Sequence, residues 1–223
     1  LEGAGHNPIA GGVATTAAAA TVEDAPRAAD AAAAAFPVWS ATSPGERRRL
    51  LLAAAQALLA AGPDITQAMM EEIGATDAWA GFNVKLASDM LVEAASLTTQ
   101  IKGEIIPSNR PGTTAMALRQ PAGVVLSIAP WNAPVILGVR SIATPLACGN
   151  TVVMKTSELC PRTHALIIEA VASAGLPEGR LKDVSTAPEG AAKRVEKRIH
   201  DPAAMRGDFT GPHPAGPGVS RNR

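Results

Sequence analysis

This sequence has few cysteines, no net charge and no long apolar run, and each of these features argues against a class of protein. The 223 residues include two cysteines, too few for a disulfide framework or a CxxC metal site. The 20 basic and 20 acidic side chains give a formal charge of zero, which argues against a nucleic-acid-binding surface. No apolar run reaches membrane-spanning length. With no secretory segment recognised, we expect a cytoplasmic protein without nucleic-acid or membrane partners.

Metal binding is not expected either. The four histidines are scattered without the spacing of metal ligands. Hydrophobic residues at 47% and charged residues at 18% are typical of a globular protein with a sizeable core.

A strand–helix–strand unit carries most of the functional information. Residues 123–129 and 151–155 are short runs rich in β-branched residues, typical of buried parallel strands, and residues 132–147 between them have helical periodicity. Two such strands place their carboxyl ends at one edge of a sheet, where ligands bind in folds of this kind. Residues 130–132 and 155–158 follow these strand ends. Asn132 could equally be the N-cap of the helix, and that alternative stays open.

The remaining segments suggest helices first and a loosely structured tail last. Residues 1–103 are predicted as the helical N-terminal part of the chain. We expect Phe36-Pro37 to stop the first helix of this part. Residues 104–121 contain two short strands and are predicted as a hairpin. Residues 180–185 have few β-formers, so strand pairing there should be weak. Residues 208–223 lack periodicity and are predicted to be disordered.

The long fourth helix, predicted over residues 79–101, has an apolar stripe. Its members are Phe82, Leu86, Met90, Ala94 and Leu97. Core packing is the favoured interpretation, although Phe82, Leu86 and Met90 could also form part of an apolar substrate tunnel.

Several motifs together resemble the aldehyde dehydrogenase superfamily, and in particular its aromatic members of the salicylaldehyde and vanillin type. The resemblance runs from about residue 7 to about residue 179. It is carried by Pro130-Trp131-Asn132 with Pro134, by residues 149–153, by Lys155 with Glu158, and by residues 157–164.

This resemblance implies an α/β fold with N-terminal helices and a partial Rossmann-like parallel sheet over residues 122–207. The hairpin at 104–121 corresponds to the family's bridging and oligomerisation domain, where it pairs with a C-terminal strand that lies outside this chain. An unpaired apolar edge invites self-association through this hairpin. Family members are more than twice as long as this chain.

The resemblance also implies roles for individual residues. Asn132 matches the asparagine whose amide donates to the oxyanion formed when an aldehyde is attacked. Lys155 and Glu158 match residues that hold the adenosine ribose hydroxyls, and Glu158 favours NAD over NADP because it repels a 2′-phosphate. Ser157 could contact the ribose or cap the following helix. Asn132 is also predicted to contact the cofactor. The other predicted cofactor-binding residues are Ile128, Ala129, Pro130, Trp131, Gly190, Phe209, Thr210 and Gly211.

The family's nucleophilic cysteine and general-base glutamate align beyond residue 223. Cys148 and Cys160 occupy positions of small structural residues, and we expect both to be buried and inert. Three functions therefore stay open. The chain could oxidise an aromatic aldehyde with NAD, bind the nucleotide without chemistry, or associate with full-length relatives through its hairpin.

Overall fold

The computed structural model describes residues 2–18, 20–21, 23–185 and 204–210. Within these ranges the chain forms six helices, two antiparallel hairpins and one parallel sheet of four strands. This architecture confirms the predicted α/β fold. No helix in the described ranges is both long and apolar enough to span a membrane.

The first strands form a hairpin, so the prediction of a wholly helical part over residues 1–103 is wrong at its start. Strand β1 (Glu2–His6) pairs antiparallel with β2 (Val13–Ala18). Turn chemistry between them explains the difference. The Asn7 side chain accepts hydrogen bonds from two backbone amides of the turn, and Gly11 has a φ of 74° that favours glycine.

Four helices follow, and the first is longer than predicted. They are α1 (Asp24–Ser40), α2 (Pro44–Ala60), α3 (Gly62–Ile73) and α4 (Asp77–Leu97). Helix α1 continues through Pro37, where the sequence predicted a stop. Trp39, two residues beyond Pro37, is almost fully buried in the core, and this burial favours continuation of the helix through the proline.

The buried face of helix α4 overlaps only partly with the predicted stripe, of which Ala94 is buried and Met90 packs against the core. Its buried residues include Ala80, Val84, Ala87 and Leu91, whereas Phe82 is 51% exposed. Small side chains line this inner face because α4 packs closely between α2 and the later helix α5 (Pro134–Ala147). Since burial depends on the neighbouring helices, an apolar stripe could not identify the inner face by itself.

The parallel sheet lies between two helical layers. Its strands are β5 (Val124–Ile128), β6 (Thr151–Lys155), β7 (Leu181–Val184) and β8 (Ala204–Phe209), in the order β7-β6-β5-β8. One face packs in the main core with α5 (Pro134–Ala147) and α6 (Pro161–Ser173), and the other packs against Ala32 of α1. The helix α5 follows β5, and α6 follows β6.

The end of the described chain is more ordered than the sequence predicted. Residues 181–184 form an edge strand of the sheet, paired with β6, where weak pairing was expected. Strand β8 runs through Phe209, so the predicted disorder is wrong for Asp208 and Phe209. Backbone pairing with β5 supplies hydrogen bonds that do not depend on β-forming side chains. Residues 211–223 lie outside the described ranges.

The predicted hairpin within residues 104–121 is present. Strand β3 (Glu104–Ile106) pairs antiparallel with β4 (Ala115–Ala117), and Ile105 lies opposite Met116. Both of these side chains are largely exposed, at 79% and 63%. The hairpin therefore presents apolar surface to solvent.

Candidate active site

Three strand ends meet at one edge of the parallel sheet. Ile128, the last residue of β5, lies opposite Lys155 of β6 on one side and Phe209 of β8 on the other. The backbone amide of Thr210 donates to the Ile128 carbonyl oxygen over 3.1 Å. Predicted cofactor residues from three separate segments of the sequence thus lie together. Two others, Gly190 and Gly211, lie outside the described residues.

The turn that follows β6 holds a partly buried ion pair. Lys155 Nζ lies 2.5 Å from Glu158 Oε2, and the two side chains are only 9% and 25% exposed. Ser157 is buried, and its hydroxyl oxygen accepts from the backbone amide of Leu159 over 3.3 Å. Because the N-cap residue of α6 is Cys160, Ser157 stabilises this turn and does not cap the helix.

The turn that follows β5 exposes two predicted site residues. Trp131 is 48% exposed and Asn132 is also exposed, whereas Ala129 is buried and Pro130 half-buried. The N-cap residue of α5 is Ala133, without a side-chain capping bond, so the alternative that Asn132 caps this helix is wrong. Proline at the first helical position lets α5 begin without such a cap.

His164, which the sequence analysis did not single out, contacts both of these turns. It is fully buried on α6, where its Nδ1 accepts from the Ser157 amide over 3.0 Å and its Nε2 lies 3.3 Å from the Pro134 carbonyl oxygen. These partners require the tautomer with the proton on Nε2. Burial lowers the pKa of His164 to about 4, and the charge of Lys155 acts in the same direction. The ring is therefore neutral at neutral pH.

Two further buried side chains fix the helices that begin at this edge. Glu72 of α3 accepts from the backbone amides of Arg162 and Thr163 over 2.8 and 2.9 Å, and from the Thr163 hydroxyl over 2.7 Å. Asn83 of α4 accepts from the Ile136 amide at 3.5 Å and donates to the Trp79 carbonyl. In most of these bonds the two partners are separated by 53 or more residues in the sequence. No local sequence pattern could therefore have predicted the roles of Glu72 and Asn83.

Neither cysteine is suited to nucleophilic catalysis. Cys160 is fully buried, and this burial raises the pKa of its thiol. Cys148 is only partly buried, so the expectation of a buried thiol is wrong for this residue. Partial burial nevertheless raises the pKa of Cys148, although the positive charge of Arg47 opposes the shift. Cys148 ends α5, roughly 20 Å from the end that follows Asn132, given the helical rise. Both thiols are therefore poor sources of thiolate.

The fold and this edge define the class of the protein. A parallel sheet with helices on both faces, and with polar side chains beyond its carboxyl ends, is a Rossmann-like α/β arrangement. Residues 3–222 match the profile of the aldehyde dehydrogenase family. The chain belongs to the aldehyde dehydrogenase family.

Relatives within this family support the resemblance to its aromatic members. The chain is 55% identical over 206 residues to a vanillin dehydrogenase of Pseudomonas fluorescens, covering 92% of this chain and 42% of that protein. It is 47% identical over 205 residues to a salicylaldehyde dehydrogenase of Pseudomonas putida, with 92% and 42% covered. The chain thus spans less than half the length of these relatives.

Solved structures show the same similarity in three dimensions. The crystal structure of a salicylaldehyde dehydrogenase from Pseudomonas putida G7, complexed with salicylaldehyde, superimposes with a TM-score of 0.98 at 43% identity. It covers all of this chain and 46% of that one. An NAD-dependent benzaldehyde dehydrogenase from Corynebacterium glutamicum gives a TM-score of 0.95 at 30% identity, with 100% and 48% covered.

Proposed function

We propose that this chain binds NAD at the edge formed by β5, β6 and β8 and serves the oxidation of an aromatic aldehyde, such as salicylaldehyde, to its carboxylate. The observation that carries the proposal is the meeting of Ile128, Lys155 and Phe209 at one sheet edge. The names of the relatives support both the cofactor and the aromatic substrate. We also propose that the protein acts in the cytoplasm.

The Lys155–Glu158 turn has the chemistry of a ribose site. Lys155 offers ammonium donors and Glu158 offers carboxylate acceptors, so together they can bind the two vicinal hydroxyls of an adenosine ribose. Low exposure strengthens both interactions because little water competes with them. A 2′-phosphate would meet the negative charge of Glu158, which favours NAD over NADP.

On the substrate side, Asn132 can donate its amide to the carbonyl oxygen of an aldehyde. Within the described residues this amide makes no hydrogen bond, and Asn132 is exposed at the sheet edge. From this position the amide can stabilise negative charge that develops on the carbonyl oxygen. NAD, when bound, supplies the hydride acceptor.

An aromatic surface lies beside the same helix start. Trp79 and Phe82 on α4 stack with ring centroids 5.6 Å apart, and both rings are about half exposed. Asn83 joins this turn of α4 to the first turn of α5, which follows Asn132. This pair supports an aromatic substrate because a planar ring can stack on it.

Nucleotide binding without chemistry is the alternative function. The observation that favours it is the state of the two cysteines. Cys160 is fully buried, and Cys148 lies at the far end of α5, so no activated thiol lies beside Asn132 in the described residues. Formation of NADH from salicylaldehyde by purified protein supports oxidation. Binding of NAD without NADH formation supports the alternative.

Replacing Lys155 with alanine should weaken NAD binding about tenfold, because the substitution removes a charge-assisted donor from the ribose hydroxyls. Calorimetric titration of the folded protein with NAD and NADP measures the effect. We expect wild-type protein to bind NAD at least several-fold more tightly than NADP, and Glu158→Gln to narrow that ratio.

A lysine elsewhere provides the matched control for this experiment. Lys85 pairs with Asp89 on the exposed surface of α4, so Lys85→Ala removes the same charge without touching the proposed site. Its NAD affinity should equal that of the wild type. Equal affinity of the wild-type protein for NAD and NADP, or unchanged affinity in Lys155→Ala, would rule out the assigned ribose site.

We also propose that the β3–β4 hairpin mediates self-association. Ile105 and Met116 form a cross-strand pair that is exposed on the surface of the hairpin, and Leu118 next to it is 69% exposed. The double variant Ile105→Lys and Met116→Lys should shift the protein towards monomer in sedimentation experiments. Val38→Lys, at an exposed apolar position on α1, is the control. A wild-type protein that is already monomeric at all concentrations contradicts this proposal.

A further inference from the structure

The buried ring of His164 connects two turns that contribute to opposite sides of the proposed site. One ring nitrogen accepts from the amide of Ser157, within the Lys155–Glu158 turn. The other lies in hydrogen-bonding range of the carbonyl oxygen of Pro134, two residues after Asn132. A single side chain therefore contacts both the proposed ribose turn and the start of the helix that follows the proposed oxyanion donor.

The surrounding residues hold this ring in one place. Gly138 of α5 packs close to the ring and to Met154, since a Cβ atom there would lie only 3.6 Å from His164 Cδ2 and 3.2 Å from Met154 Cε. Glu72 fixes the first turn of α6 through three hydrogen bonds to Arg162 and Thr163, the two residues before His164. The ring therefore has little freedom to change partners.

Filling the core does not by itself explain a histidine here. The neighbouring residue Ile167 and the facing Met154 are apolar and fully buried, and an apolar side chain at position 164 could occupy similar volume. A buried polar ring is costly unless its nitrogens have partners, and here both nitrogens have backbone partners. The specific feature of His164 is thus the pair of bonds, one to each turn.

We propose that His164 is a positioning residue whose two ring nitrogens hold the Lys155–Glu158 turn and the Asn132 turn in a fixed relative position. The inference rests on the proposed NAD site. It adds to that proposal a residue that touches neither cofactor nor substrate but sets the distance between the groups that bind them. Alignment of this kind matters because small displacements of binding groups are costly to both affinity and rate.

Three substitutions separate the two bonds. In the variant His164→Asn, the side-chain oxygen can take the place of Nδ1 and accept from the Ser157 amide. In His164→Gln, the side-chain NH2 group can take the place of Nε2 and donate to the Pro134 carbonyl oxygen. His164→Leu can do neither. Val171→Ala, a fully buried position further along α6, is the control for loss of stability alone.

The first measurement is NAD affinity by calorimetry, at a temperature where melting curves show every variant to be folded. We expect His164→Leu to bind NAD about tenfold more weakly than the wild type, His164→Asn to keep most of the affinity, and Val171→Ala to keep all of it. Equal affinity in His164→Leu and wild-type protein overturns the proposal, because a merely structural histidine would change the melting temperature alone.

The second measurement is amide hydrogen exchange without NAD, which keeps the inference testable if the wild-type protein does not bind the cofactor. In His164→Leu, exchange should become about tenfold faster in both residues 155–160 and residues 130–138, relative to Val171→Ala. Faster exchange in one segment alone, or in neither, overturns the connection between the turns. Failure of the wild-type protein to bind NAD counts against the proposed function instead.

Discussion

Replacing Asn132 with alanine should lower the rate of aldehyde oxidation by the protein about a hundredfold while NAD affinity changes little. An amide aimed at a developing oxyanion contributes on the order of 3 kcal/mol to transition-state stabilisation, and the cofactor site at Lys155 and Glu158 is left intact. Initial rates of NADH formation with salicylaldehyde, and with an aliphatic aldehyde for comparison, measure the loss.

Thermal melts on the same samples separate catalysis from folding. Because Ala133 and not Asn132 occupies the N-cap position of α5, the substitution should cost little stability. Asn109→Ala, at an exposed position near the hairpin turn, is the matched control and should leave both rate and melting temperature unchanged. An unchanged rate per folded molecule in Asn132→Ala removes the catalytic role.

Acidification should destabilise the protein through His164, by about 3 kcal/mol between pH 6.5 and pH 4. The unfolded chain takes up a proton at the ordinary histidine pKa near 6.5, whereas the folded chain does so only at about 4. Between these values the unfolded state binds more protons, so the free energy of unfolding decreases as the pH falls. Above pH 6.5 this contribution is fully present.

Urea unfolding at pH 7 and at pH 4.5 tests this contribution by comparison with His164→Gln. The variant should be less stable at pH 7 but should lose less stability on acidification. Burial raises the pKa of Asp208, an effect of opposite sign that is common to both proteins and cancels in the comparison. His6→Gln, at an exposed position on β1, should behave like the wild type. Identical acid profiles for wild type and His164→Gln would contradict the assignment.

Predictions from the sequence were correct for features that depend on residues close together in the chain. The runs of β-branched residues at 123–129 and 151–155 predicted β5 and β6, and their parallel pairing follows from the helix between them. Ser43 is the N-cap residue of α2, and its hydroxyl oxygen accepts from the amide of Glu46, three residues further on. These features depend on neighbours close in sequence, so the residues themselves carry the information.

Predictions from the sequence were wrong for features that depend on contacts with residues far away in the chain. The strand β8 has few β-forming residues but pairs with β5 along its length. The inner face of α4 is set by α2 and α5, so Leu91 is buried while Phe82 is exposed. In both cases tertiary contacts overrode local propensity, which spans only about 1 kcal/mol per residue.

The same distinction between local and distant contacts applies to the candidate site. The sequence by itself determined the strand–helix–strand unit and, with the family motifs, the set of polar residues at its strand ends, because both follow from local periodicity and short motifs. Only the tertiary structure decided that Lys155 and Phe209 flank Ile128, and that His164 and Glu72 hold the adjoining turns. Those contacts join residues from separate segments of the chain, and packing alone brings such residues within hydrogen-bonding distance.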